Sequence, residues 1–95
     1  MNKIVIFDLD GTLALIDDRR KISTKDNGKM DWDKFFDPDN ISLDKPNQPV
    51  IDMANMLSKQ GYTIMILSGR SDVTHQATRD WLNKHGVWFD TLTMR

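Results

Sequence analysis

Two aspartates, Asp8 and Asp10, follow an apolar run at the start of the chain, in the stretch KIVIFDLDGTLA. Side chains at positions i and i+2 of a strand share a face, so both carboxylates should point the same way at the strand's carboxyl end. In open α/β sheets, ligands bind at that end. Two close carboxylates repel each other, and a hard cation such as Mg²⁺ relieves the repulsion. The pattern therefore predicts a magnesium site, whereas a bare pair of aspartates would more simply cap a turn.

The elements that must position these residues follow the order strand, insert, helix, strand, helix, strand. Residues 3–9 predict a buried strand, because they are continuously apolar, rich in β-branched residues and followed by a glycine. Two further strands are predicted at 62–67 and 89–94. The two crossovers between strands predict an α/β fold, with a Rossmann-like parallel sheet of three strands.

Two amphipathic helices are predicted between the strands. The first begins at Pro49, which suits the first position of a helix, and ends at Gly61. Its apolar stripe comprises Val50, Met53, Ala54 and Leu57. The second is capped by Ser71 and ends at Gly86. Its apolar positions are Val73, Ala77, Trp81 and Leu82.

The segment 15–49 differs from the rest of the chain. It is polar, holds all three prolines and lacks sustained periodicity. Within it, residues 31–36 predict a short helical turn that buries Trp32, Phe35 and Phe36. The remainder is interpreted as an inserted flap or loop, which is longer than ordinary connections and therefore a candidate for a functional role.

Length and composition limit the classes of function. With 95 residues the chain has room for one small domain, and a hydrophobic fraction of 39% allows a packed core. The formal net charge of -1 gives no global attraction to nucleic acid or anionic membranes. The absence of cysteine excludes disulfides and thiolate metal sites. Apolar runs too short for a bilayer and a strand that begins too early for a signal peptide favour a cytoplasmic protein with no membrane partner.

The stretch FDLDGTL resembles the first motif of the haloacid dehalogenase (HAD) superfamily of phosphotransferases, and IMILSGR resembles its second. The resemblance implies that Asp8 is the nucleophile that forms an aspartyl-phosphate and that Asp10 is the general acid and base. Mg²⁺ would be held by the Asp8 carboxylate and the Asp10 backbone carbonyl. Thr12 would orient the two aspartates at the substrate site, and Ser68 with the Gly69 amide would bind phosphoryl oxygens.

The SGR triplet at 68–70 is similar to that of the phosphatase half of polynucleotide kinase-phosphatase end-repair proteins, in which the arginine grips the substrate phosphate. Arg70 is therefore expected to bind phosphate, a task suited to a planar guanidinium. The alternatives are an ordinary turn or a surface arginine paired with Asp72. The resemblance implies a nucleic-acid 3′-phosphate end as substrate. A phosphatase of nucleotides or other small phosphomonoesters, or a non-catalytic domain that binds Mg²⁺ or phosphate, remains an alternative.

Features that suit a polynucleotide are weaker. Residues 19–34 carry six basic side chains against three acidic ones, which could meet a phosphate backbone, although a solvated flap is the simpler interpretation. Trp32 and Trp88 could stack a base, but packing in the core or at an interface is favoured. Trp81 is expected in the core.

Two elements of the HAD pattern do not occur before the chain reaches TLTMR: a lysine, and an acidic pair after a fourth strand. The expected sheet order is third, second, first, fourth, so the first strand would lie uncovered at an edge. Residues 1–95 are therefore interpreted as the N-terminal portion of a HAD-like phosphatase domain, completed by a missing C-terminal segment or by a partner chain. Arg95 is placed where a substrate contact is plausible.

Overall fold

The computed structural model describes residues 3–94, in which strands and helices alternate. The strands are β1 (Ile4–Asp8), β2 (Ala14–Leu15), β3 (Lys45–Pro46), β4 (Thr63–Ser68) and β5 (Thr91–Met94). The α-helices are α1 (Asp17–Ser23), α2 (Trp32–Phe35), α3 (Gln48–Lys59) and α4 (His75–Lys84). Two 3-10 helices, Pro38–Leu43 and Asp72–Thr74, precede β3 and α4. None of these described helices is long and apolar enough to cross a membrane.

The predicted α/β class is confirmed by a parallel three-stranded sheet with the order β1-β4-β5. Strand β1 pairs with β4 from Ile4 opposite Thr63 to Asp8 opposite Leu67. The first strand therefore lies at one edge and the third at the other, as predicted. Since all three strands run the same way, their carboxyl ends lie together.

The two long helices bury faces that differ in part from the predicted stripes. In α3, Ile51 and Ala54 are fully buried, whereas Met53 is 52% exposed. Before α4, Val73 is 68% exposed and Thr74 is buried. The 3-10 helix has three residues per turn, so extending the α-helical period back to Val73 was wrong. Both helix ends are confirmed, because the predicted terminal glycines adopt positive φ directly after the helices.

Residues 15–49, called the insert lobe below, contain regular structure where most of their length was predicted to be loop. Strands β2 and β3 form an antiparallel ribbon that closes the base of the lobe, with Leu15 opposite Lys45. Helix α2 confirms the short helix predicted within 31–36. Helix α1 was missed because it is short and polar. Its charges suit the helix dipole, with acidic residues in the first turn and basic residues in the last.

One hydrophobic core joins the sheet to the insert lobe. The sheet contributes Ile64 and Ile66, both fully buried, and the lobe contributes Phe35 and Ile41. Burying apolar surface is the main favourable term in folding. The lobe is therefore packed into the same core as the sheet rather than projecting from it as a separate flap.

Strand β1 has one covered and one bare side. Phe7 is buried, but Ile4 and Ile6, which share a face, are 58% and 57% exposed. Among the described strands only β4 pairs with β1, so the outer edge of β1 is open. An unpaired strand edge beside an exposed apolar face is a surface for association. The predicted uncovered position of the first strand is confirmed for residues 3–94.

Candidate active site

The candidate site lies at the carboxyl ends of β1 and β4, where Asp8 and Ser68 are the last residues of adjacent strands. After β1 the chain reverses sharply around Gly11, whose φ is 80°. The Leu9 carbonyl accepts three amide hydrogen bonds of 2.9–3.2 Å across this turn, from Thr12, Leu13 and Ala14. The turn fixes the backbone of Asp10 beside the end of β1.

The two aspartates have different surroundings. Asp8 is exposed, and no described side chain donates a hydrogen bond to it. Asp10 is 28% exposed at its side chain. Its Oδ1 accepts bonds from Arg70 Nε at 2.9 Å, Arg70 Nη2 at 2.7 Å and Arg19 Nη2 at 3.3 Å. Within residues 3–94, Oδ2 of Asp10 accepts none. Asp10 is thus held by one oxygen while the other stays free.

Arg70 lies fully buried beneath the site. Besides Asp10, it donates to Asp44 Oδ2 at 2.7 Å and to Thr78 Oγ1 at 2.9 Å. Every nitrogen of the guanidinium therefore has an internal partner. The alternative of a surface arginine paired with Asp72 is wrong. Direct binding of phosphate by Arg70 stays a prediction.

The insert lobe supplies two further charged residues, Arg19 from α1 and Asp44, which lies between the 3-10 helix Pro38–Leu43 and β3. Arg19 donates to both carboxylate oxygens of Asp44, from Nε at 2.9 Å and from Nη2 at 3.1 Å. Its Nη1 donates to the Phe35 carbonyl at 2.9 Å. The guanidinium also lies 4.3 Å from the centre of the Phe35 ring. Arg19 therefore connects α1, α2 and the site.

Asp10, Arg19, Asp44 and Arg70, called the buried quartet below, balance two negative and two positive charges. Both arginines are fully buried, and Asp44 is 3% exposed. Burial raises the pKa of Asp44, while the hydrogen bond and positive charge of Arg19 oppose that rise. The Trp81 indole also donates to the Asp44 carbonyl at 2.9 Å. Since buried charges are costly unless paired, each member of the quartet depends on the others.

Sequence reasoning missed Arg19 and Asp44 as site residues. Arg19 stands in a DDRR run, which is typical of a solvated helix, and was counted with the basic segment 19–34. Asp44 lies in a stretch without periodicity. The one local signal is that Arg19 and Ser23 are four residues apart on the buried side of α1, but two polar residues do not form an apolar stripe.

The other predicted contacts are distributed around the turn. The Ser68 hydroxyl accepts a bond from the Arg70 amide at 3.1 Å, and Gly69 is exposed between them. Thr12 is partly buried, and its carbonyl accepts a bond from Asn47 Nδ2 at 2.8 Å. Among the described residues, its hydroxyl has no hydrogen bond. Roles for Thr12, Ser68 and Gly69 in substrate binding stay predictions, and Arg95 lies outside the described residues.

The three tryptophans differ in how well their burial agrees with the sequence-based predictions. Trp81 is buried, as predicted. Trp32 and Trp88 are 59% and 60% exposed, so neither lies in the core and the predicted burial of Trp32 is wrong, while packing at an interface stays a prediction. Trp32 stands on α2 above Phe35 and Phe36, which are covered instead.

Oxygen donors suited to a hard cation are present at the end of β1. The Asp8 carboxylate has no partner among the described residues, and neither has the backbone carbonyl of Asp10. Mg²⁺ prefers such oxygens and commonly keeps several waters. Residues 3–94 hold no group of three or more His, Asp or Glu side chains that could bind a metal by themselves. The two donors fit part of a magnesium site.

Comparison with known proteins gives a consistent assignment. The model of the polynucleotide kinase PNKP phosphatase domain, a HAD family, matches residues 2–95. The chain belongs to this family. It is also similar to chains in two solved structures, of the Pnkp1/Rnl/Hen1 complex and of the Pnkp1/Rnl/Hen1 RNA repair complex, each at 30% identity and a TM-score of 0.70.

Those matches cover 99% of this chain and 28% and 25% of the other two chains. This chain therefore spans about a quarter of the length of the proteins it matches. Its α/β sheet corresponds to part of a HAD-like domain, and family membership supports a phosphatase-type function in general.

Proposed function

We propose that this protein hydrolyses phosphomonoesters with Mg²⁺ and that its substrate is the 3′-phosphate end of a nucleic acid. The observation that carries the proposal is the contrast between two aspartates on one turn, an exposed and unbonded Asp8 and an Asp10 held by two arginines. A nucleophile needs access to phosphorus, and an acid–base group needs a fixed position near the leaving oxygen.

The chemistry follows from those positions. An Asp8 carboxylate oxygen attacks phosphorus, and the bond from phosphorus to the leaving 3′ oxygen breaks as Asp10, which starts this step with a proton on its unbonded Oδ2, donates that proton to the oxygen. Asp10 then takes a proton from a water molecule whose oxygen attacks phosphorus. The bond between Asp8 and phosphorus breaks, inorganic phosphate leaves, and both carboxyl groups return to their starting state.

Two oxygen donors at the end of β1 would bind the metal ion. The Asp8 carboxylate and the Asp10 carbonyl would hold Mg²⁺, which supplies positive charge near the transferring phosphoryl group. Ser68, the Gly69 amide and Thr12 would contact or orient that group from the loop beside it. Arg70 would act indirectly by positioning Asp10, since its guanidinium is occupied by internal partners that include Asp10.

Two features favour a polymer end over a small phosphomonoester. The insert lobe is packed into the core beside the site, and Asp8 is exposed. One of the similar structures is described as an RNA repair complex. A partner chain or a further segment would cover the open edge of β1. The alternative substrates are mononucleotides and other small phosphomonoesters, and a non-catalytic phosphate-binding domain is the third possibility.

The test compares kcat/KM for a 3′-phosphorylated oligonucleotide and for the matching mononucleotide, at two salt concentrations, with the protein at its natural length. We expect the oligonucleotide to be preferred, and the preference to shrink as salt rises because bound counterions are released. Equal values or a preference for the mononucleotide would support the small-substrate alternative. Absence of turnover on both with Mg²⁺ present would leave only the non-catalytic alternative.

A further inference from the structure

A cavity of about 490 Å³ with an aromatic wall opens beside the candidate active site. It is lined by Trp32, Phe36, Gly69, Arg70 and Ser71. The last three belong to the loop after β4, and Arg70 also bonds to Asp10 at 2.7 Å. The cavity therefore borders directly on residues that the proposed reaction uses.

Trp32 has a defined orientation although it is 59% exposed. Its ring stacks on Phe36 with 5.8 Å between centroids and 18° between planes. Phe35 meets it edge-on, at 5.7 Å and 88°. The helix that carries Trp32 is capped by Asp31, whose carboxylate accepts a bond from the Lys34 amide at 3.2 Å. A large flat ring is thus presented to the cavity in a fixed position.

Arg19 fixes the distance between this aromatic wall and Asp10. Its Nη1 donates to the Phe35 carbonyl at 2.9 Å, and its Nη2 donates to Asp10 Oδ1 at 3.3 Å. Because Arg19 is fully buried and bonded at every nitrogen, α2 cannot move away from the site without losing the Arg19–Phe35 bond or displacing Arg19 from the quartet.

The positive charge of the insert lobe is a weaker basis for binding a nucleic acid than the aromatic wall. Of the six basic residues in 19–34, Arg19 is neutralised inside the quartet, so five exposed basic side chains face three aspartates. This modest excess gives only weak attraction to phosphates. The aromatic wall is the more specific feature of the lobe.

We propose that Trp32 is a stacking platform for the base of the nucleotide that carries the 3′-phosphate. The proposal rests on the proposed function, since it assumes that the phosphate sits at Asp8. Every base has a π-face, so stacking would select a nucleotide over a bare sugar phosphate without selecting a sequence. Trp32 would then determine the class of substrate rather than the rate of the chemical step.

The test measures binding by fluorescence anisotropy of a 5′-labelled pentanucleotide with a 3′-phosphate. The Asp8→Asn background is used so that the ligand is not consumed. A second ligand is identical except that its 3′-terminal nucleotide lacks the base. With Trp32 present, we expect the first ligand to bind at least about fivefold more tightly. Trp32→Ala should remove that preference, and Trp32→Phe should keep part of it because a ring remains.

Trp88→Ala is the matched control, because Trp88 is 60% exposed and does not line this cavity. It should keep the full preference. Persistence of the preference in Trp32→Ala, or equal binding of the two ligands with Trp32 present, would overturn the proposal. Hydrolysis of an activated aryl phosphate, which carries no base, tests the proposed function separately. Base-dependent binding without any hydrolysis would retain the stacking site and remove the phosphatase proposal.

Discussion

The two sides of the candidate site are built very differently. On the side of β4 and the insert lobe, Asp10 is held by a network in which two arginines and Asp44 are almost entirely buried. On the outer side, β1 has an open edge, and its Ile4 and Ile6 are more than half exposed. Asp8 lies at the end of this strand without a bonding partner in residues 3–94.

The difference shows which part of the site the described residues position by themselves. The acid–base candidate is fixed by contacts that span the sheet and the lobe. The nucleophile candidate is fixed only through the backbone of its strand. A strand that paired with the outer edge of β1 would satisfy its backbone groups and bring side chains close to Asp8, and an element packed on the same face would cover Ile4 and Ile6. The quartet has its partners within the described residues.

The largest effect is expected at the two aspartates themselves. With an activated aryl phosphate, whose leaving group needs little protonation, Asp8→Asn should abolish turnover and Asp10→Asn should reduce it less. Steady-state kinetics of both variants check this. Full activity in Asp8→Asn would contradict the mechanism through an aspartyl-phosphate.

The next effect concerns the buried quartet. Asp44→Ala leaves two buried guanidiniums with one carboxylate, so the free energy of unfolding should fall by roughly 3–5 kcal/mol. Urea denaturation measures this change. Asp26→Asn is the control, because Asp26 is exposed and should change stability by less than about 0.5 kcal/mol. Similar small losses for both variants would show that the quartet is not coupled.

Arg70→Lys separates the two roles considered for that side chain. A lysine cannot reproduce bonds to Asp10, Asp44 and Thr78 from one fork, so Asp10 should be misplaced. If Arg70 is a positioning residue, kcat should fall tenfold or more with little change in KM, on the order of 1.4 kcal/mol in the barrier. Arg20→Lys, at an exposed arginine of the same lobe, should leave both unchanged. A rise in KM alone would favour a direct phosphate contact.

A smaller effect on stability is expected from substitution of an exposed residue of β1. In the 95-residue chain, Ile6→Lys should cost less than about 0.5 kcal/mol and should reduce self-association in sedimentation experiments. A buried isoleucine of the adjacent strand provides the comparison, since Ile66→Ala should cost about 2–5 kcal/mol. A cost for Ile6→Lys comparable to that of Ile66→Ala would show that this face of β1 is covered in solution.

The smallest effect concerns pH. Partial burial, together with the charge of Lys84, lowers the pKa of His85, whose ring lies 4.5 Å from that of Trp81. Unfolded chains then take up the proton first, so stability should fall as pH drops below the ordinary histidine pKa of about 6.5. Denaturation at pH 7 and pH 5 should show a smaller decrease in His85→Asn than in the unsubstituted protein. An unchanged decrease would assign the pH dependence to other groups.

Much of the secondary structure could be predicted from the sequence. The strands, α3, the last turn of α4 and the order of the sheet follow from apolar runs, helical periodicity and terminal glycines, which are local signals. The positions of Asp8 and Ser68 at strand ends, and of Asp10 in the turn that follows, were predicted from the same runs. Most of the structure of the insert lobe could not be predicted, because its helices are short, polar and stabilised by contacts with distant residues.

The sequence by itself determined the fold class, the family resemblance and the two aspartates, because each is encoded within a few neighbouring residues. Only the tertiary structure decided what surrounds them. Arg19 and Asp44 are 25 residues apart, and Arg70 and Asp10 are 60 apart, yet they share hydrogen bonds in the core. Local patterns cannot show such pairings, because the energy that permits a buried charge comes from its partner and not from its neighbours in the chain.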